Sequence, residues 1–101
     1  MKKTIAFALA LIVSIAEAKT ISGRVTKDDK GIGGVFVSAH DLENRKSTGV
    51  FTSRDGSFSI TGLRDNSHKV RARLMGLNDV WLEDIAAGAK SVTIKMTPAT
   101  G

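Results

Sequence analysis

The two histidines, His40 and His68, are the side chains of this sequence best suited to acid–base chemistry. An imidazole can act as a general base, or activate a serine hydroxyl, when a third group orients it. The sequence offers neither a G-x-S-x-G turn nor a pair of carboxylates at a set spacing near them. Cysteine is absent, which excludes a thiolate nucleophile, a disulfide framework and a thiolate metal site. We therefore predict no catalytic residue, no cofactor and no enzymatic activity.

Three segments rich in aspartate or glycine could bind an ion, but each is better interpreted as a turn. Asp28 and Asp29 are adjacent, and adjacent carboxylates point apart in an extended chain. A calcium loop needs oxygen ligands at alternating positions, but the segment that leads to Asp55 contains the cation Arg54. The glycines of residues 31–34 are not followed by a helix whose dipole could face a phosphate. We predict no metal site and expect Gly56, after Asp55, to supply the positive φ of a tight turn.

A stripe of cations is the first candidate for a binding surface. Lys69, Arg71 and Arg73 alternate with apolar residues, so they project from one face of a strand, and Lys95 could lie beside them. Such a stripe is usually solvated and protects a sheet edge from pairing. The alternative is contact with an acidic polysaccharide, lipid headgroups or an acidic protein.

Aromatic residues form the second candidate surface. Phe36 lies on the face of its strand opposite Val35 and Val37. If this strand forms a hairpin with the next one, centred between residues 43 and 44, Phe36 pairs with Phe51 and both rings lie on the outer face. Trp81 lies between two apolar residues and fits either the core or this face. The predicted binding residues are Phe36, Phe51, Trp81, Lys69, Arg71 and Arg73.

The elements that must position these residues are short strands. Turn residues bound segments of four to eight residues, and apolar and polar side chains alternate within several of them, as in a half-buried antiparallel sheet. The predicted strands are residues 20–26, 35–41, 48–53, 58–63, 68–75, 80–85 and 91–97. We therefore predict an all-β, seven-stranded antiparallel sandwich. Its predicted core comprises Val35, Val37, Phe58, Ile60, Val70, Leu74, Ile94 and Met96.

The first 18 residues have the pattern of a signal peptide. Lys2 and Lys3 precede an apolar run, and Ala16-Glu17-Ala18 is a typical cleavage sequence. Removing these 18 residues, which include two lysines and one glutamate, leaves 83 of 101 residues and lowers the net charge from +5 to +4. We predict a signal peptide over residues 1–18, one domain over residues 19–101, and a periplasmic or extracellular location. The net positive charge is small and the basic residues are interspersed with acidic ones, which argues against a nucleic-acid partner. The sequence after residue 18 contains no further apolar run long enough to suggest a transmembrane segment.

The order of these segments resembles a known family. Residues 21–26 and 31–39 resemble the opening of carboxypeptidase regulatory-like domains, residues 52–63 their central turn, and residues 70–77 the strand that follows. The sequence departs from the family pattern at Ile32-Gly33 and Arg64-Asp65-Asn66, where the family often has proline, and at His68, where an aromatic residue is common. The resemblance implies a transthyretin-like, immunoglobulin-type or carbohydrate-binding-like β sandwich. Such domains are usually non-catalytic accessory modules of exported bacterial enzymes, receptors and adhesins.

One enzyme family shares the transthyretin-like fold, the hydrolase of hydroxyisourate, which ends in a Tyr-Arg-Gly-Ser tail. This sequence contains no tyrosine and ends in Pro98-Ala99-Thr100-Gly101, so we reject that assignment. We predict a secreted accessory module that docks on a partner protein or a neighbouring domain. The alternative is a carbohydrate-binding module that uses the exposed aromatic rings. Such modules usually bind sugars through tryptophan and tyrosine, and the presence of only one tryptophan and no tyrosine disfavours this alternative.

Overall fold

The fold is an all-β sandwich, as predicted. The computed structural model describes residues 18–99, so the predicted signal peptide lies outside the described residues except for Ala18. Within this range there are eight strands and no helix. The strands are β1 (Lys19–Lys27), β2 (Lys30–Gly31), β3 (Phe36–Asp41), β4 (Lys46–Phe51), β5 (Ser57–Leu63), β6 (Ser67–Arg73), β7 (Val80–Ala86) and β8 (Val92–Lys95).

The strands form two sheets. In the first sheet β1 is central, because its residue Gly23 pairs with Phe58 of β5 on one side and with Val92 of β8 on the other. The short strand β2 lies on the same side of β1 as β5 and forms an antiparallel hairpin with β1. The second sheet has the order β4-β3-β6-β7, with all neighbours antiparallel.

Two details correct the predicted seven-stranded antiparallel arrangement. Strand β8 runs parallel to β1, which strand spacing along the chain does not reveal. The additional strand β2 exists because Asp28 and Asp29 both adopt positive φ, at 53° and 64°, and so close a two-residue hairpin loop.

Strand β4 begins and ends two residues earlier than predicted. The turn before it closes at Arg45, which has a φ of 54°. Thr52, predicted to lie in the strand, is tied instead to the loop that precedes β3. Its hydroxyl accepts a hydrogen bond from the Val35 N–H at 3.0 Å and donates one to the Ile32 carbonyl at 2.8 Å.

The core lies between the two sheets and is built from the inward-facing side chains of alternating positions. Its members are at most 5% exposed: Ile21, Val25, Val35, Val37, Ala39, Phe58, Ile60, Leu63, Val70, Ala72, Ile94 and Met96. Seven of the eight predicted core residues are in this set. The eighth, Leu74, is only half-buried against it, since β6 ends at Arg73 and the chain turns at Gly76 with a φ of 91°.

Candidate functional site

All six predicted binding residues lie on the outer surface of the second sheet. The cross-strand register places them in adjacent rows: Phe51, Phe36 and Arg73 form one row, and Arg71 pairs with Trp81 in the next. Lys69 follows in the third row, opposite His40. We call this surface, defined by Phe36, Phe51, Trp81, Lys69, Arg71 and Arg73, the outer aromatic face.

The two phenylalanines pair as expected for a hairpin centred between residues 43 and 44. Phe36 is opposite Phe51 in the ladder, and their ring centroids lie 5.2 Å apart with a tilt of 54°. Their exposure differs, however, because Phe51 is 68% exposed whereas Phe36 is half-buried. The ring of Phe36 lies over Gly49 of β4, where any Cβ atom would come within 2.7 Å of the Phe36 Cε1 atom. Because Gly49 has no side chain, it leaves the space that the Phe36 ring occupies. The sequence pattern did not indicate this role.

Trp81 lies on the outer face and not in the core. Its side chain is 45% exposed, and two cations lie over its ring. The Arg71 guanidinium carbon is 4.9 Å and the Lys69 Nζ atom 5.6 Å from the ring centroid. Cation–π contacts of this kind contribute about 0.5–1 kcal/mol each at exposed sites. The cationic stripe and the tryptophan are therefore one cluster.

The cationic stripe has counter-ions from β7 and the turn before it. Asp79 accepts a hydrogen bond from Arg71 Nε at 3.1 Å and lies 3.8 Å from Arg73 Nε. Glu83 lies 3.6 Å from Lys69 Nζ. These pairs are partly exposed, so each stabilises the fold by at most about 1 kcal/mol. Their main effect is to orient the cations along the face.

Two expectations for the stripe are wrong. Strand β6 is not an edge strand, since it lies between β3 and β7, so its cations do not protect an edge. Lys95 does not lie beside the stripe, because β8 belongs to the first sheet. Both errors have the same cause: alternation shows which face a residue occupies but not which strands are neighbours.

His40 lies between two serine hydroxyls on the same surface. Its Nε2 atom is 2.8 Å from Ser38 Oγ and its Nδ1 atom 2.7 Å from Ser47 Oγ. Burial lowers the pKa of the imidazole, and the positive charges of Arg71 and Lys69 lower it further. Both ring nitrogens are engaged by serines, and no carboxylate of the described residues orients the ring as in a Ser-His-Asp triad. The arrangement links β3 to β4, and we assign it no catalytic role.

The second histidine lies at one end of the sandwich beside a polar cluster. His68 is 2% exposed, and its Nδ1 atom is 2.9 Å from the Asn66 carbonyl oxygen. Asp41 accepts hydrogen bonds from the backbone N–H of Asn44 at 3.1 Å, from the side-chain amide of Asn44 at 2.8 Å and from the side-chain amide of Asn66 at 2.9 Å. Asp41 thereby ties the β3–β4 turn to the β5–β6 loop. A pocket of about 420 Å³ adjoins this cluster and is lined in part by Lys46 and Arg64.

Asp41 makes the stability of the domain sensitive to acid. Desolvation alone would raise the pKa of its carboxyl group, but the hydrogen bonds from Asn44 and Asn66 outweigh it and lower the pKa from 3.8 to about 2. A carboxyl group with a lowered pKa stabilises the fold above its unfolded pKa, and this contribution is lost as the pH falls through the folded value. We therefore expect the difference in unfolding free energy between the native chain and Asp41→Asn to be constant above about pH 5 and to shrink between about pH 4 and pH 2. Urea unfolding across this range measures it, and a difference independent of pH would contradict the assignment.

Neither aspartate turn has the geometry of an ion site. The Asp55 carboxylate accepts hydrogen bonds from the Ser57 hydroxyl at 2.7 Å and the Ser57 N–H at 3.0 Å, which lower its pKa. Gly56 has a φ of 88°, as predicted for this turn. Within residues 18–99 no three His, Asp or Glu side chains are grouped so that they could share a metal ion.

Comparison with known proteins establishes the family. The model of the carboxypeptidase regulatory-like domain matches residues 20–97, and the chain belongs to this family. A search of curated proteins found no match. In the part of the chain that the structure describes, no helix is long and apolar enough to cross a membrane.

Proposed function

We propose that this chain is an exported, non-enzymatic accessory module that docks on a partner protein or a neighbouring domain through the outer aromatic face. The observation that carries the proposal is the concentration of aromatic rings, with two cations over one of them, on the outer surface of the second sheet. The equivalent surface of the first sheet carries two cations, Arg24 and Lys95, but no aromatic ring among residues 18–99, and its other exposed side chains are mostly small and hydroxylated. The hydroxylated residues are Ser22, Ser57, Ser59, Thr61 and Thr93.

The composition of the outer aromatic face matches that of protein interfaces. Aromatic residues and arginine are enriched at interface centres and supply most of the binding free energy. Complete burial of a phenylalanine ring is worth roughly 1.5–3 kcal/mol, and Phe51 retains most of its surface for a partner. The ion pairs to Asp79 and Glu83 hold the arginines and the lysine in place, which reduces the entropy lost when a partner binds.

The alternative, a carbohydrate-binding module, has less support. A sugar ring stacks on a flat aromatic surface, but Phe36 and Phe51 are tilted by 54°. The ring of Trp81 is already in contact with Arg71 and Lys69. We therefore favour a protein partner, and a glycan array tests the alternative directly. Binding that depends on Trp81 would favour the sugar.

The docking proposal is tested by the double change Phe51→Ser with Trp81→Ser. Loss of the two cation–π contacts of Trp81 and of the Phe36–Phe51 pair should cost about 1.5–3 kcal/mol in total, so we expect the melting temperature to fall by roughly 10–20 °C while the cooperative transition is retained. The amount of partner protein that co-purifies from the cell envelope should fall to background. Leu42→Ser is the matched control, since Leu42 is 65% exposed in the β3–β4 turn, and it should retain the partner. Equal recovery with both variants would overturn the proposal.

Export is the second part of the proposal and rests on the pattern of residues 1–18. Cleavage after Ala18 should yield a protein that begins at Lys19. Intact-mass measurement of protein from the periplasm or the medium tests this. A product in the cytoplasm that still carries Met1 would contradict it.

A further inference from the structure

The sheet edges of this domain are unequally protected against pairing with another strand. Edge strand β7 carries a register shift opposite residues 68–70, and its residue Asp84 has a φ of 51°. Edge strand β5 has one extra residue opposite residues 19–21 of β1, and it contains Gly62 with a φ of 76°. Strand β8 is only four residues long. Bulges and short lengths of this kind prevent an edge from accepting a further strand.

Strand β4 is the regular edge. Its six residues pair with β3 in one unbroken register from Lys46 to Phe51, and none of them has a positive φ. Within the described residues β4 has a single sheet neighbour, β3. Residues 46–49 and Phe51 are exposed. An unbroken edge of this length can accept an extended chain from a partner.

The direction of the unpaired backbone groups follows from the ladder. The Thr52 N–H donates to the Val35 carbonyl at 2.9 Å, so Thr52 directs its backbone towards the β3 side. In an antiparallel ladder successive residues face opposite sides. Phe51, Gly49 and Ser47 therefore direct their N–H and C=O groups to the free edge. The side chains of Phe51 and Ser47 lie on the surface that carries the outer aromatic face, so an added strand would extend that face.

Unpaired cations flank both ends of this edge. Arg45 and Lys46 lie at its start, and Arg54 lies shortly after its end. All three are exposed, and none takes part in an ion pair among residues 18–99. These charges disfavour a second copy of the chain as the added strand. An antiparallel copy centred on Gly49 would bring Arg45 of one chain near Arg54 of the other, and a parallel copy would set each cation near its own equivalent.

We propose that β4 is a strand-addition site for an extended protein segment with an apolar centre and acidic residues at its ends. The segment becomes the fifth strand of the second sheet. Its backbone pairs with Ser47, Gly49 and Phe51, one apolar side chain covers the Phe51 ring, and its acidic ends meet Arg45, Lys46 and Arg54. This inference rests on the proposed docking function and adds the mode of binding and the chemistry of the partner.

The matched variants Ser47→Pro and Ser47→Ala test the role of the backbone. Both remove the hydroxyl that contacts His40, but only proline removes the N–H that faces the free edge. Proline is tolerated on an edge strand where its nitrogen faces solvent. The probe is the synthetic peptide Asp-Glu-Val-Thr-Val-Thr-Glu-Asp, followed by fluorescence anisotropy. We expect Ser47→Pro to weaken its binding at least about tenfold relative to Ser47→Ala.

Two further peptides separate strand addition from charge attraction. The same peptide with N-methyl groups on its central Val and Thr residues keeps its charge but loses the N–H donors of those residues. A version with lysine in place of the acidic residues keeps its strand propensity but reverses the charge. We expect both to bind at least about tenfold more weakly. Equal binding of the N-methylated peptide would overturn strand addition, and equal binding of the lysine version would overturn the acidic partner.

Amide exchange in the native chain keeps the test decisive if Ser47→Pro fails to fold. Addition of the acidic peptide should slow hydrogen exchange of the Ser47, Gly49 and Phe51 amides and leave the amides of β7 unchanged. Unchanged exchange at the β4 amides would overturn the inference. If that occurs while Phe51→Ser with Trp81→Ser still abolishes co-purification, strand addition is wrong and the docking function stands.

Discussion

Val70→Asp is expected to leave the chain unfolded at room temperature. Val70 is fully buried in β6, an interior strand, where it pairs with Ala39 and Leu82. An unpaired carboxylate at this position would cost several kcal/mol or more, since nothing in the apolar core could neutralise it. Domains are stable by only about 5–15 kcal/mol, and small ones lie at the low end. Circular dichroism should show the loss of the cooperative thermal transition.

The control for Val70→Asp is Arg71→Gln, the next residue along the strand. Arg71 faces outwards, and the change removes one partly exposed ion pair and one cation–π contact. We expect a loss of no more than about 1–2 kcal/mol. Comparable melting temperatures for the two variants would mean that the register of β6 is wrong by one residue.

Gly56→Ala is expected to have the next largest effect. Gly56 has a φ of 88°, which costs an alanine roughly 1–2 kcal/mol. A Cβ atom there would also lie 2.8 Å from Gly31 Cα and closer still to the Val25 carbonyl oxygen. Both are backbone atoms of the neighbouring β1–β2 hairpin, so the sheet itself must shift, at a further cost of roughly 1–3 kcal/mol.

Gly76→Ala separates these two contributions. Gly76 has nearly the same φ, 91°, but a Cβ atom there would meet nothing within 4 Å. The difference in unfolding free energy between the two variants therefore measures the steric contribution alone, and we expect about 1–3 kcal/mol from chemical denaturation. Equal losses would show that the turn can relax away from β1.

The features that were predictable from the sequence are those that a strand fixes locally. Alternation placed Val35 and Val37 in the core and Phe36 outside it, because side chains of a strand point to opposite faces. Turn position then paired Phe36 with Phe51, since the register of a hairpin follows from the centre of its loop. The pairing of these two strands and the outer surface that they share could therefore be predicted from the sequence alone.

The features that were not predictable depend on strand order or on apolar runs without alternation. Val80, Trp81 and Leu82 are apolar in succession, so the pattern could not assign Trp81 to a face. The parallel β8 strand, and with it the place of Lys95, depends on how the two sheets divide the chain. The contact between Gly49 and the Phe36 ring was also not predictable, because the sequence does not show which side chain packs on a glycine in a strand.

Site-specific photo-crosslinking tests the docking surface most directly. A benzophenone amino acid in place of Phe51 reports on the outer aromatic face, and the same group in place of Ser59 reports on the hydroxyl-rich surface of the first sheet. Phe51 is exposed at the end of β4, and Ser59 is exposed within β5, so neither substitution disturbs the core. In cells that make the protein, we predict a discrete protein adduct from position 51 and none from position 59. An adduct from position 59 alone, or equal adducts from both positions, would contradict the account.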